Sequence, residues 1–151
     1  MCIRDSYRDK NEQPLLNDAS AIFKQLTCNR FNRISLGYTT DEKPYVRGER
    51  SSGEKLTVDG MSDGTRDQLY LAMRLAALKL RLETNEPMPL IVDDLLITFD
   101  DQRTRAALSV LADISRSTQV ILFTHHGRVL DASNELFPDS QVAVTDLQSC
   151  V

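Results

Sequence analysis

The chain has 151 residues, 41% of them hydrophobic, but only 6% aromatic and no Trp; that suffices for one packed core and offers no large stacking surface for bases. Its net charge of −4, from 18 basic and 22 acidic side chains, includes no basic tract, so the chain alone is not a strong nucleic-acid binder. No apolar run reaches the roughly 18 residues of a membrane helix, no secretory h-region opens the chain, and three scattered cysteines without a C-x-x-C pair argue against a disulfide framework or a structural zinc and for a reducing cytoplasm.

Residues 1–11 fit nothing that follows and are expected to be a disordered or non-native leader. Residues 12–28 form one amphipathic pattern, with Leu15, Leu16, Ala19, Ile22, Phe23 and Leu26 at helical spacing and Pro14 suited to a first turn. Asn29 and Arg30 mark its exit. Between 31 and 60 the pattern changes to short, partly alternating segments, FNRISLGY, KPYVRGE and KLTVDG, which predict a small antiparallel meander. A long helix is predicted from Thr65 to Leu82, apolar on nearly every side and so buried on several faces. Thr65 and Gln68 fit a capping box at its start, and Pro87 and Pro89 follow its end.

A buried strand (Leu90–Asp93), a helix (about Gln102–Ser115), a second buried strand (Gln119–Thr124), a short helix (Arg128–Leu136) and a last strand (Val142–Thr145) complete the pattern. Apolar strands alternating with helices predict an α/β layer with a largely parallel sheet. The charge is uneven: residues 1–60 carry 10 basic and 9 acidic groups, and residues 61–151 carry 8 and 13. The acidic half is where metal and nucleotide chemistry is expected.

Three stretches carry chemistry. Leu90-Ile91-Val92 ends in Asp93 and Asp94; acids beyond the carboxyl end of a parallel strand sit where α/β sheets bind ligands and can hold Mg²⁺ or polarise a water. Alone, the pair could equally be the start of a loop. The second predicted strand ends in Thr124-His125-His126, which could bring an imidazole to a phosphate or an attacking water. Alone, it could be a surface turn. Met61-Ser62-Asp63-Gly64-Thr65-Arg66 precedes the long helix and joins a hydroxyl and free backbone N–H groups to the positive end of a helix dipole. Alone, it could be an ordinary helix start.

In this order the three resemble the motifs of an ABC-type ATPase head of the SMC, RecN, RecF and SbcC group. Ser62-Asp63-Gly64-Thr65-Arg66 resembles the signature, Asp93-Asp94 the Walker B pair, Phe99-Asp100 the D-loop and His125 the switch histidine. Two departures stand out: Asp63 occupies a position where Gly is usual, and Asp94 one where Glu is commoner. QPLLNDASAIFKQLTCNRF is similar to the segment where a long coiled coil re-enters the head in YhaN-like and SbcC-like ATPases. The resemblance covers about residues 12–146. It implies a P-loop NTPase-like C-terminal lobe over residues 31–151, with 12–30 the end of a coiled coil.

It further implies ATP and Mg²⁺ as cofactors, with Asp93 on the metal, Asp94 as general base, His125 sensing the γ-phosphate, and Ser62, Asp63, Gly64, Thr65 and Asp100 on the nucleotide side. The implied partner is a second ATPase head, as a homodimer or as the N-terminal lobe of the same protein, with DNA a partner of the complete protein and no membrane involved. The phosphate loop is missing. Gly48-Glu49-Arg50-Ser51-Ser52-Gly53-Glu54-Lys55-Leu56-Thr57 nearly spells it, but Glu54 would repel phosphate, Lys55 is displaced by one residue, and no helix is predicted to follow. The chain alone is therefore expected to be inactive. Two rivals remain: a stand-alone metal-dependent phosphohydrolase or nuclease using Asp93, Asp94, Asp100 and both histidines, and a non-catalytic interaction module.

Overall fold

In the computed structural model the described residues are 3–138 and 142–147, with side chains described from residue 13 onward. The first helix, α1, spans Ile3–Leu26. Its backbone begins nine residues before the predicted start and takes in the stretch expected to be a leader, so that Pro14 lies inside the helix rather than at its first turn. Cys28 and Asn29, both at positive φ (53° and 64°), then reverse the chain. Thr27 ties the two directions together: its hydroxyl donates to Phe23 O at 2.8 Å and accepts from Phe31 N at 3.3 Å. Ser20 repeats the device further back, donating to Leu16 O and accepting from Ile34 N.

The chain next forms β1 (Phe31–Tyr38), β2 (Pro44–Arg50) and β3 (Lys55–Thr57), an antiparallel meander in that order. A 3₁₀ turn, Val58–Gly60, follows where the sequence suggested a longer strand. The phosphate-loop look-alike at 48–57 is simply the β2–β3 hairpin, turned at Gly53 with φ of 87°, a conformation that glycine adopts freely.

The second helix, α2, spans Asp63–Leu82 with Ser62 as its N-cap residue. The capping box expected at Thr65 and Gln68 does not form. Thr65 lies within the first turn, and Gln68, fully buried, donates from Nε2 to Leu26 O at the end of α1. The long helix needs its apolar side to be satisfied from elsewhere, and α1 supplies it: Phe23, Leu26, Leu69, Ala72, Leu75 and Ala76 share one core.

The remaining elements are β4 (Leu90–Asp93), α3 (Asp101–Ser115), β5 (Val120–Phe123) and α4 (Gly127–Leu136). β4 and β5 pair in parallel from Leu90↔Val120 to Asp93↔Phe123, with α3 as the crossover that parallel strands require. The strand expected at Val142–Thr145 is absent; Val142 and Val144 are exposed and outside any ladder.

Nor are β4 and β5 buried on both faces. Val92 is 6% exposed, but Ile91 is 64% and Phe123 42% exposed. Side chains alternate across a strand, so Ile91, Asp93, Ile121 and Phe123 share the open face, while Leu90, Val92, Val120 and Leu122 meet the core. A continuous apolar run anticipates cover on two sides; this chain supplies one.

Candidate functional site

The two parallel strands end side by side. Asp94 N donates to Phe123 O at 3.0 Å, carrying the ladder one residue past β4. At that point the chain turns sharply: Asp94 has φ of 48°, a left-handed conformation that Asp tolerates better than most residues. Asp93 therefore stays in the strand and is exposed, while the carboxylate of Asp94 turns toward the loop after β5.

That loop holds three polar groups against it. His125 Nδ1 lies 2.6 Å from Asp94 Oδ2, Thr124 Oγ1 lies 3.4 Å from Oδ1, and His126 Nε2 lies 3.9 Å from Oδ1. The Thr124 hydroxyl also accepts from His126 N at 3.1 Å and so fixes the bend between strand and helix. The two imidazole rings stack with centroids 4.0 Å apart and planes tilted by 38°. His125 is well exposed, whereas His126 Nε2 is buried and has no hydrogen-bond partner. Ligand atoms of Asp94, His125 and His126 lie within 4.8 Å of one another. Asp93 and Asp100, which the hydrolase alternative required beside the histidines, are not members of that group.

Arg128 clamps the site from behind. Its guanidinium, in the first turn of α4, donates to the carbonyls of Leu96 and Ile97 at 3.3 and 3.0 Å. Neither contact was legible in the sequence, because it joins residues more than 30 apart through backbone acceptors; a guanidinium close behind a histidine turn is the only cue.

The start of α2 meets the same loop from another side. Gly64 is buried, and a Cβ built there would lie 3.1 Å from Thr98 O and 3.2 Å from Arg103 Nη1. A side chain here would press on residues 98–103, which would have to give by a few tenths of an ångström. Thr98 Oγ1 donates to Asp67 Oδ2 at 2.7 Å across the same seam. Ser62 Oγ and Thr65 Oγ1 are 2.9 Å apart and neither caps the helix, which leaves first-turn N–H groups of α2 without a side-chain acceptor. Asp63, the unexpected acid, pairs with Arg66 one turn on. Through that hydrogen bond and the charge of Asp63, the Arg66 guanidinium is held above its ordinary pKa, and the pair offsets the negative charge at the helix start.

Asp100 has a local task. Its Oδ1 accepts from Arg103 N at 2.9 Å, capping α3, and Oδ2 lies 3.4 Å from Arg103 Nε. Near it Cys28 sits at the exit of α1, its thiol pushed up mainly by burial and then by the Asp100 charge.

The chemistry available is thus an exposed carboxylate (Asp93), a second carboxylate in close contact with an imidazole (Asp94 with His125), and a helix N-terminus on the neighbouring element. The donor set fits a nucleotide–magnesium complex in type, since carboxylate oxygens suit Mg²⁺ and a helix N-terminus suits phosphate.

No protein-family model matches the chain. It is 32% identical over 129 residues to the uncharacterized protein YhaN of Bacillus subtilis, covering 85% of this chain and 13% of that protein. It is 29% identical over 136 residues to a DNA double-strand break repair Rad50 ATPase of Sulfurisphaera tokodaii, covering 83% and 15%. The chain therefore spans about one seventh of the length of these relatives.

In fold it is similar to a chain from a structural study of ATP-driven dimerization and DNA-stimulated activation of SMC ATPases, with a TM-score of 0.69 at 15% identity over 85% of this chain and 76% of that one. The Smc head domain of Pyrococcus furiosus, bound to the C-terminal domain of ScpA, gives 0.63 at 17% identity over 82% and 31%. The SMC head domain of Thermotoga maritima gives 0.58 at 18% identity over 80% and 40%. By sequence kinship to YhaN and Rad50 and by fold, the chain is a segment of an SMC/Rad50-like ATPase head.

Proposed function

We propose that this segment is the C-terminal part of a head that binds ATP between two heads and hydrolyses it, in a protein of DNA repair or chromosome maintenance. The observation that carries the proposal is the meeting of Asp94 and His125 at 2.6 Å, at the carboxyl ends of two adjacent parallel strands. In this reading Asp93 contributes to holding Mg²⁺, which supplies charge neutralisation at the phosphates. Asp94 accepts the proton of the attacking water. His125 orients that carboxylate and senses the γ-phosphate. Ser62, Gly64, Thr65 and the N-terminus of α2 face the phosphate held by an opposing head, with Asp63 balanced by Arg66; Asp100 shapes the adjoining loop by capping α3. In this assignment Asp94 serves proton transfer rather than binding; a base acts in the chemical step, and ground-state affinity need not depend on it.

The open face of the β4–β5 sheet supports a second element of the proposal. Ile91 and Phe123 are the kind of surface that another lobe, carrying the phosphate loop, would cover. The chain alone should release no appreciable phosphate from ATP. In the longer protein, Asp94→Asn should keep ATP binding close to wild type and lower turnover by at least 100-fold, while Asp93→Asn should weaken Mg²⁺-dependent binding. Measuring nucleotide affinity and phosphate release side by side decides it. Robust turnover by the 151-residue chain, or equal binding defects in both variants, would refute these assignments.

A further inference from the structure

The mechanism above leaves one group unused. His126 is assigned no role in hydrolysis, yet its Nε2 is buried, has no hydrogen-bond partner and faces Asp94 Oδ1 at 3.9 Å. The other oxygen of the same carboxylate faces His125 Nδ1 at 2.6 Å. One carboxylate thus stands between two imidazole nitrogens, all within 4.8 Å.

We propose that Asp94, His125 and His126 form a binding site for a borderline divalent transition ion of the Zn²⁺ type, and that its occupancy switches off the hydrolytic step. Two imidazoles and a carboxylate are a donor set that favours zinc over magnesium, which selects oxygen donors. Tetrahedral Zn²⁺ with bonds of about 2.0–2.2 Å places its ligand atoms roughly 3.3–3.5 Å apart. His126 Nε2 lies 3.9 Å from Oδ1 and His125 Nδ1 2.6 Å from Oδ2, so one imidazole shifts toward whichever oxygen binds the ion. Coordination through Nδ1 leaves an imidazole proton on Nε2, on the exposed side of His125. That exposed side leaves room for water as a further ligand. Three protein ligands plus an open position is a geometry in which zinc is held without a closed cage.

The regulatory half of the proposal rests on Asp94 being the base: a carboxylate bound to zinc has a much lower proton affinity and is a poor base toward water. The binding half does not depend on it. Adjacent His125 and His126 reach one carboxylate because Thr124 fixes the bend at His126 N and the ladder is prolonged to Asp94 N.

The test uses the 151-residue chain with its three cysteines changed to Ser, which removes thiol ligands, titrated with Zn²⁺ and separately with Co²⁺. One equivalent should bind, and the Co²⁺ form should show the visible absorption of a four-coordinate site. His126→Ala and His126→Gln should each weaken binding at least tenfold, and millimolar Mg²⁺ should not compete. Circular dichroism checks that both variants remain folded. Absence of stoichiometric binding, or equal affinity in both His126 variants and the parent, overturns the site.

A second arm takes the longer protein. Micromolar Zn²⁺ should inhibit its ATP turnover, and His126→Gln should resist inhibition relative to its own zinc-free rate. Zinc bound through His126 with turnover unaffected would overturn the switch while leaving the site. Turnover surviving in Asp94→Asn would instead overturn the assignment of the base, and the binding arm would still stand on its own.

Discussion

The corner formed by α1, β1 and α2 is written in less apolar sequence than the sheet formed by β4 and β5, yet it is the corner that is closed from water. In the corner, Phe23, Leu26, Leu69 and Leu75 are each at most 1% exposed. In the sheet, Ile91 is 64% and Phe123 42% exposed. The first region finds its partners within the chain: Thr27 and Ser20 fasten β1 to α1, and Gln68 fastens α2 to the end of α1. The second presents one finished face and one unfinished face. The stability of this segment thus resides in the corner, while the sheet is held ready for contacts that other residues must supply. The polar site lies at the end of the unfinished sheet.

This contrast can be tested at two phenylalanines. Phe23→Ala removes a ring with no exposed surface and should destabilise the chain by about 3–5 kcal/mol. Phe123→Ala removes a ring already partly in water and should cost about 1 kcal/mol or less. Urea denaturation of both variants measures the difference, and equal losses would mean that the sheet is as integral to the core as the corner. A smaller effect is expected at the junction of the two regions. Asp100→Ala deletes the cap on α3 and the contact to Arg103, and should cost about 1 kcal/mol in the same assay. A loss well above 2 kcal/mol would show that Asp100 organises more than its own helix.

The smallest effect should come from the open face itself. Ile91→Thr keeps a β-branched residue in β4 and should change the stability of the isolated chain by no more than about 0.5 kcal/mol. The same change should reduce self-association in sedimentation, because it interrupts an exposed apolar surface. A large loss of stability would mean that the face is covered within the chain after all.

Much of this arrangement could be read before any coordinates. The bounds of β4 match the reading of Leu90–Asp93, and FNRISLGY is β1 over its full length. The order of Ser62-Asp63-Gly64-Thr65, Asp93-Asp94 and His125 pointed to an ATPase head. What failed shares one cause: neighbours that a local pattern cannot contain. Gln68 looked like a capping residue and is instead a buried link to α1. The run Leu90–Val92 looked doubly buried, as it would be in a wider sheet. Pro14 looked like a first turn, but the helix extends through it. Within the site, His126 enters the sequence reading only with the hydrolase alternative; its approach to Asp94 follows from how Thr124 bends the chain.

The left-handed backbone of Asp94 also governs how the site can be probed and how it could have diversified. At φ of 48° unbranched acids and amides are accommodated, as Glu42 at 59° also shows, whereas β-branched side chains are strained. Asn at position 94 would change charge and proton affinity while leaving the turn intact, so its effects can be ascribed to chemistry. Glu there would keep the charge and alter the reach of the carboxylate. The tight turn thus couples the identity of the residue to the path of the chain: a β-branched side chain at position 94 requires the loop after β4 to relax at the same time, as a joint rather than a single step.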